Sequence, residues 1–392
     1  MKILPQQPFL ILLQNVGLWL TFLFALMPLQ SQEAPLISVN KTSEGFSIPQ
    51  AGKTFSFPRD HGNHPDFKIE WWYVTGHLFA EDGRRFGFQA TFFRQAASSK
   101  PDAGTNPLFQ HQQFHLAHMA LLDVKTGKFL HQERLNREGW DAASSVETLD
   151  VSNGNWSLQM TDVTSQTMKL RGSVLGEADF DLSLSPAKPL VVFGENGVSR
   201  KAQLPTAASH YLTFTRLKTS GTLRLGDVLF NVKGEAWMDH EISSSQLSQE
   251  QAGWDWASIQ LKDGREIMVY RLRKKDGSMD EFSTLAWIDA AANVQHFKPD
   301  RYKWAELGHW KSPLTGANYP IRVGIQTTDP VTQTSVSFTL EPLAEAQEQT
   351  GVLGGSAYWE GACRVLDDKG NDVGSAFLEL SGYTGDLAKH FR

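Results

Sequence analysis

The sequence predicts an all-β chain of two domains, and three observations carry that expectation. Its 392 residues exceed what one ordinary core organises and suggest two units of roughly 150–180 residues each. Aromatic-rich and alternating runs are punctuated by Asp82-Gly83, Asn153-Gly154, Asp263-Gly264 and Asp276-Gly277. Such dipeptides supply the positive φ angles of tight hairpin loops. Helical periodicity is nearly absent, Leu343–Gln349 being the one candidate. Many short strands with regular turns form a sandwich or a barrel.

Residues 1–32 read as an export signal. Lys2 is the only charge before Glu33, and Val16–Met27 is an apolar run the length of a signal core and short for a membrane span. Leu29-Gln30-Ser31 is the candidate cleavage site. Extended back to Pro8, the run offers the alternative of an uncleaved membrane anchor. Cys363 is the only cysteine, so no intrachain disulfide forms. A cysteine-poor exported chain points to a bacterial periplasm. Residues 33–65 are a polar, turn-rich lead-in. Residues 66–238 form the first domain and residues 239–392 the second, with the boundary just after the strand Val228–Val232. A faint repeat relates the two. Trp71-Trp72, Asp82-Gly83-Arg84 and Arg94 recur in order as Trp254-x-Trp256, Asp263-Gly264-Arg265 and Arg273.

Two segments carry candidate chemistry. In Glu70-Trp71-Trp72-Tyr73-Val74-Thr75 alternate side chains share a face, so Glu70, Trp72 and Val74 point one way and Trp71, Tyr73 and Thr75 the other. The strand is either a central one buried on both sides or one whose Trp lines a cavity with Glu70 at its mouth. A buried Glu needs a partner, and Arg94 is the candidate. In Glu235-Ala236-Trp237-Met238-Asp239-His240-Glu241, Asp239 and Glu241 share one face and His240 takes the other. Carboxylates beside a His suit acid–base work, because neighbouring charges push their pKa values apart. They also suit a structural role across a domain seam. His111, His115 and His118 have ligand-like spacing only on a helix, and the surrounding pattern is a strand, so no metal site is expected there.

These two segments resemble those of the carotenoid 1,2-hydratase (hydroxyneurosporene synthase) and AttH-like family, often labelled predicted secreted hydrolases. The resemblance runs from about His61 to Phe391 and is supported by His118–Asp123, Ser220–Leu223, Gly253–Ala257 and Tyr358–Gly361. It implies two tandem lipocalin-like (calycin) β-barrel domains with an apolar cavity in at least one of them. Characterised members hydrate isolated double bonds of long unsaturated hydrocarbons. The acid there is an Asp that falls on Asp239, and an upstream His falls on His210. Trp237 stands where the hydratases carry Tyr, and Leu212 where they carry Trp, which removes a ring that would face a carbocation.

The formal charge of −6 argues against nucleic acid, which needs a basic field. The 12 Trp and 24 Phe suit an apolar ligand cavity as well as a core. The expected partner is a lipophilic small molecule, with a membrane surface as a second candidate, and no cofactor is expected. Two functions fit. In one, Asp239 is the acid of a hydratase-like or hydrolytic step with His210 and His240 setting its protonation. Trp237, Tyr211, Trp72, Glu70, Trp254 and Trp256 would contact the substrate. In the other, the chain is a non-catalytic carrier. The enzyme reading places Asp239 and His210 in one cavity within hydrogen-bond reach.

Overall fold

The computed structural model describes residues 40–99, 113–351 and 357–385. The expected export signal with its candidate cleavage site, and His111, lie outside them.

The first sheet contains β1 (Ile69–Ala80), β2 (Arg85–Ala96), β3 (Gln113–Asp123), β4 (Lys128–Arg137), β5 (Ala142–Ser144) and β6 (Asp150–Asn153). It continues with β7 (Trp156–Asp162), β8 (Thr167–Val174), β9 (Ala178–Pro186), β10 (Val191–Phe193), β11 (Ser199–Arg200), β12 (Ala208–Leu225) and β13 (Val228–Ser245). The second holds β14 (Gln251–Leu261), β15 (Glu266–Lys274), β16 (Thr284–Ile288), β17 (Val294–Phe297) and β18 (Tyr302–Lys311). It ends with β19 (Asn318–Thr328), β20 (Ser335–Pro342), β21 (Glu348–Gln349), β22 (Tyr358–Leu366) and β23 (Asp372–Ser381). Helix among the described residues is limited to two single 3-10 turns, Arg59–His61 and Pro299–Arg301. Leu343–Gln349 is irregular apart from the short β21. The first sheet curls into a nearly closed barrel and the second into a half-barrel, as two tandem lipocalin-like domains require.

The faint sequence repeat is a repeat of topology. The first sheet runs β4-β3-β2-β1-β13-β12-β9-β8-β7-β6-β5 and the second β17-β16-β15-β14-β23-β22-β20-β19-β18. In each, the first strand pairs with the last. The Asp-Gly turns that open each half have glycines at φ 83° (Gly83) and φ 87° (Gly264), the left-handed region that side chains avoid.

The division of the chain differs from the sequence expectation. β13 stays in the first sheet through Ser245, because its 18 residues pair with β1 on one side and β12 on the other. The change of sheet falls at residues 246–250, so a boundary at 238/239 cuts through a strand. The lead-in belongs to the first barrel. The His61 carbonyl accepts from Trp72 Nε1 at 3.0 Å, and Phe46, Ile48, Asp60 and His64 are buried.

Three apolar cores follow from strand alternation. Trp72, Val74, Phe88 and Met238 fill the first barrel, and Ile259, Val269, Leu378 and Leu380 fill the second. Their neighbours on the opposite faces, among them Tyr73, Trp237, Trp256 and Tyr270, form a third core between the sheets. The barrels therefore pack outer face to outer face. Polar bonds pin that seam. Glu266 of β15 is fully buried and takes Arg216 Nε at 2.7 Å and Lys188 Nζ at 2.5 Å. Arg216→Ala leaves this buried carboxylate short of one cation. Removing one partner of a buried pair costs about 3–5 kcal/mol, so chemical denaturation should show a loss of that order. An unchanged midpoint would mean that the seam does not rest on this pair.

Candidate functional site

β13 is buried on both faces along its second half, so every polar side chain there needs a partner. It lies close against β1. A Cβ at Gly234 would come within 1.8 Å of the His77 carbonyl oxygen. Across the next residues, Trp237, Asp239 and Glu241 face the seam, while Met238, His240 and Ile242 face the first barrel.

At the seam lies a cavity of about 680 Å³, a volume ordinary for a small-molecule site. Both barrels line it, with Trp71 and Phe93 from one and Trp254, Trp256 and Tyr270 from the other, together with Tyr211 and Asp239. The resemblance implied a cavity inside a barrel; this one lies between the barrels. Asp239 is 3% exposed and receives three hydrogen bonds of 2.7 Å: Thr213 Oγ1 and Trp237 Nε1 donate to Oδ1, and the Tyr211 hydroxyl donates to Oδ2. Tyr211 in turn accepts from Trp256 Nε1 at 3.0 Å, tying the acid to the second barrel. Burial outweighs these donors and raises the Asp239 carboxyl to about 7, with Glu241 adding to the rise. Glu241 accepts from Ser209 and pairs with Lys201 at 3.3 Å. The Lys201 ammonium lies over the rings of Tyr270 and Tyr211 at 4.2 and 4.9 Å.

The opposite face carries a separate polar cluster. Glu70 Oε1 accepts from His64 Nδ1 and His240 Nε2, each at 2.8 Å, and Oε2 accepts from Arg94 Nε at 3.2 Å. His64 Nε2 also meets Asp60 at 2.9 Å. Burial alone would raise Glu70, but His64, His240 and Arg94 hold its carboxyl well below the usual range. Burial lowers both His240 and His210. The potential ligand atoms of His64, Glu70 and His240 lie within 4.8 Å of one another and could hold a metal ion. The Arg94 cation on the same carboxylate already balances its charge, which weakens the case for a second cation there.

The expected site residues therefore divide. Asp239, Tyr211, Trp254 and Trp256 share the cavity wall, and Trp237 holds Asp239 from behind. Glu70 borders the cavity but turns its carboxylate to the other face. Trp72 lies inside the first barrel, stacked on His240 with ring centroids 4.9 Å apart, and it is Trp71 that lines the cavity. His240 belongs to the Glu70 cluster. His210 is not a partner of Asp239: its Nδ1 donates to the Gly197 carbonyl at 2.7 Å. The residue opposite Asp239 on β12 is Thr213, and the even-numbered His210 points to the other face. The Glu70–Arg94 pair forms as the strand pattern suggested. His118 is a buried imidazole, lowered to about 4 by burial, with Nδ1 on the Tyr358 hydroxyl at 2.7 Å. Sequence reasoning missed Lys201, Tyr270 and Glu379 at the cavity. The last had a signal: Glu379 interrupts the apolar run Phe377–Leu380.

Two lipocalin-like barrels with a cavity at their seam define the class of protein. The chain belongs to the AttH-like family, whose model matches residues 48–383. A crystal structure of a Nitrosomonas europaea protein assigned to AttH is 34% identical, with a TM-score of 0.76 over 86% of this chain and 100% of that one. Kievitone hydratase from Nectria haematococca shares the fold at 14% identity and a TM-score of 0.64, covering 88% of this chain and 97% of its own. CghA does so at 12% identity and a TM-score of 0.52, covering 88% and 98%. No protein of curated function matches the chain in sequence.

Asp239 sets a testable link between pH and stability. The folded state keeps this carboxyl protonated up to about 7, whereas the unfolded chain releases the proton near 3.8. A raised carboxyl contributes stability that is full below the unfolded value and lost as pH rises through the folded one. Asp239→Asn mimics the neutral acid, accepting at Oδ1 from Thr213 and Trp237 and donating to Tyr211. The variant should exceed the parent in stability by on the order of 4 kcal/mol at pH about 8 and match it near pH 4. Denaturation at the two pH values measures this, and a variant less stable at both would show Asp239 to be ionised and structural.

Proposed function

We propose that the chain is an exported, hydratase-like enzyme that adds water to an isolated double bond of a lipophilic molecule held at the seam, with Asp239 as the acid. The observation that carries this reading is a carboxyl raised to about 7 that opens into a large cavity walled by aromatic rings. An Asp near its reference value of ~3.9 is ionised at neutral pH and has no proton to give. Here the π electrons of the alkene take the Asp239 proton and form a C–H bond, leaving a cation on the neighbouring carbon. Water attacks that carbon through an oxygen lone pair and then sheds a proton, giving the alcohol. The cation is least costly when tertiary, so a trisubstituted, isoprenoid-type alkene suits the site. The rings of Trp254 and Trp256 in the cavity wall offer it π density. The fold also houses a hydratase in kievitone hydratase, and the family resemblance points to long unsaturated hydrocarbons. Leu212, where carotenoid 1,2-hydratases carry Trp, argues for a different hydrocarbon from theirs.

Farnesol, which carries trisubstituted double bonds, tests the reading in oxygen-labelled water. The expected result is a product heavier by one labelled water, formed by the parent and not by Asp239→Asn, while both quench tryptophan fluorescence on binding. The turnover should fall as pH rises past about 7, because Asp239 then ionises. Binding without any labelled product from the parent would make the protein a carrier.

A further inference from the structure

The acid explains only half of the reaction, since the attacking water must also lose a proton. The topological repeat shows where the second group sits. Asp239 lies on β13, the last strand of the first barrel, directly opposite Tyr73 of that barrel's first strand. Glu379 lies on β23, the last strand of the second barrel, directly opposite Trp256 of that barrel's first strand. Both side chains leave the outer faces of their barrels and both line the same cavity.

Resting on the hydratase reading, we propose that Glu379 is the catalytic base that takes the proton of the attacking water, so that each barrel contributes one carboxyl to the reaction. Glu379 is built for this place. Oε1 accepts from Trp254 Nε1 at 2.8 Å and from Ser381 Oγ at 2.7 Å, which fixes its orientation toward the cavity. No cation bonds it among the described residues, in contrast to Glu241, which Lys201 engages. Behind it stands Glu360 of β22, its direct cross-strand partner, buried and bonded through Oε1 to the Tyr73 hydroxyl at 2.6 Å. Burial, with Glu379 adding to it, drives the Glu360 carboxyl well above the ordinary carboxyl range. Burial also raises Glu379 to about 7, while Trp254 and Ser381 pull the other way and Glu241 and Asp255 add to the rise.

The step balances. Asp239 loses its proton to the alkene carbon, and the cation accepts a lone pair of water. The resulting oxonium passes a proton to the Glu379 carboxylate. One proton transfer through solvent, from Glu379 back to Asp239, resets the pair to its starting state, and the net change is alkene plus water to alcohol. With both carboxyls titrating near the same pH, the working combination of protonated Asp239 and ionised Glu379 is populated around neutrality. The titratable groups that act on Glu379 are Glu360, Tyr73, Tyr358, Glu241 and Asp255.

Glu379→Gln, assayed with farnesol in deuterium oxide, separates the two steps. Protonation by Asp239 is reversible, so a variant that lacks only the base still washes deuterium into the alkene while alcohol formation falls by about 100-fold or more. The rising, acid-side limb of the pH profile should vanish with it. Glu379→Asp, which keeps a carboxylate, should restore part of the addition, and melting temperatures of both variants confirm that they fold. Exchange and addition lost together, or both retained, would overturn the role of Glu379 and leave the acid in place. A parent that neither exchanges nor adds water would overturn the hydratase reading itself, and equal activity of Asp239→Asn would remove its acid.

Discussion

The site depends on β13 being buried on both faces. A strand presents successive side chains to opposite sides, so Asp239, His240 and Glu241 enter two different environments although they are adjacent in sequence. Facing the filled lumen, His240 is absorbed into the Glu70, His64 and Arg94 cluster, where opposite charges and hydrogen bonds compensate burial. Facing the seam, Asp239 is hydrogen-bonded by three neutral donors, and among the described residues no cation bonds it directly. Neutral donors compensate a buried anion only in part, so the carboxyl keeps its proton. One strand thus carries a charged, closed cluster on one side and an open, protonatable acid on the other.

The location of the cavity follows from how each lumen is filled. Trp72, Phe88 and Trp156 occupy the first barrel, and Trp287, Tyr319 and Trp359 the second. Packing outer face on outer face could have closed this space too, but the side chains there are large, flat and partly polar. Rings such as Trp254 and Tyr270 stand as walls instead of interdigitating. The seam core and the cavity are continuous, so the contacts that join the barrels also shape the pocket.

The fold was legible in the sequence because Asp-Gly turns fix local hairpins and alternation fixes faces. The Glu70–Arg94 pair was legible for the same reason: a tight turn at Gly83 sets the register, and the two residues fall opposite each other. The division of the chain was misplaced because an apolar–polar change within β13 resembles the end of a domain, whereas it marks a strand whose outer face meets another barrel. The His210–Asp239 pairing failed for a sharper reason. The two strands are adjacent, but a single step of register decides which face a side chain takes. The resemblance places the two residues along the chain and does not carry their register. Asp60 and His64 were hidden because they come from the lead-in, whose irregular course carries no periodicity.

The two barrels share a topology but not a chemistry. Asp239 has three donors aimed at it, and its counterpart on the second barrel's last strand has two, with a second carboxyl directly alongside. Duplication of one barrel explains why a polar residue on the last strand of each reaches the seam. It does not explain why each is an acid, since an isolated buried carboxyl is costly and an apolar residue would pack better. Conserving function at the expense of stability is the usual reason that a fold retains such groups. For Asp239 and Glu379 the cost is borne at the wall of the large cavity, where a ligand would meet both acids.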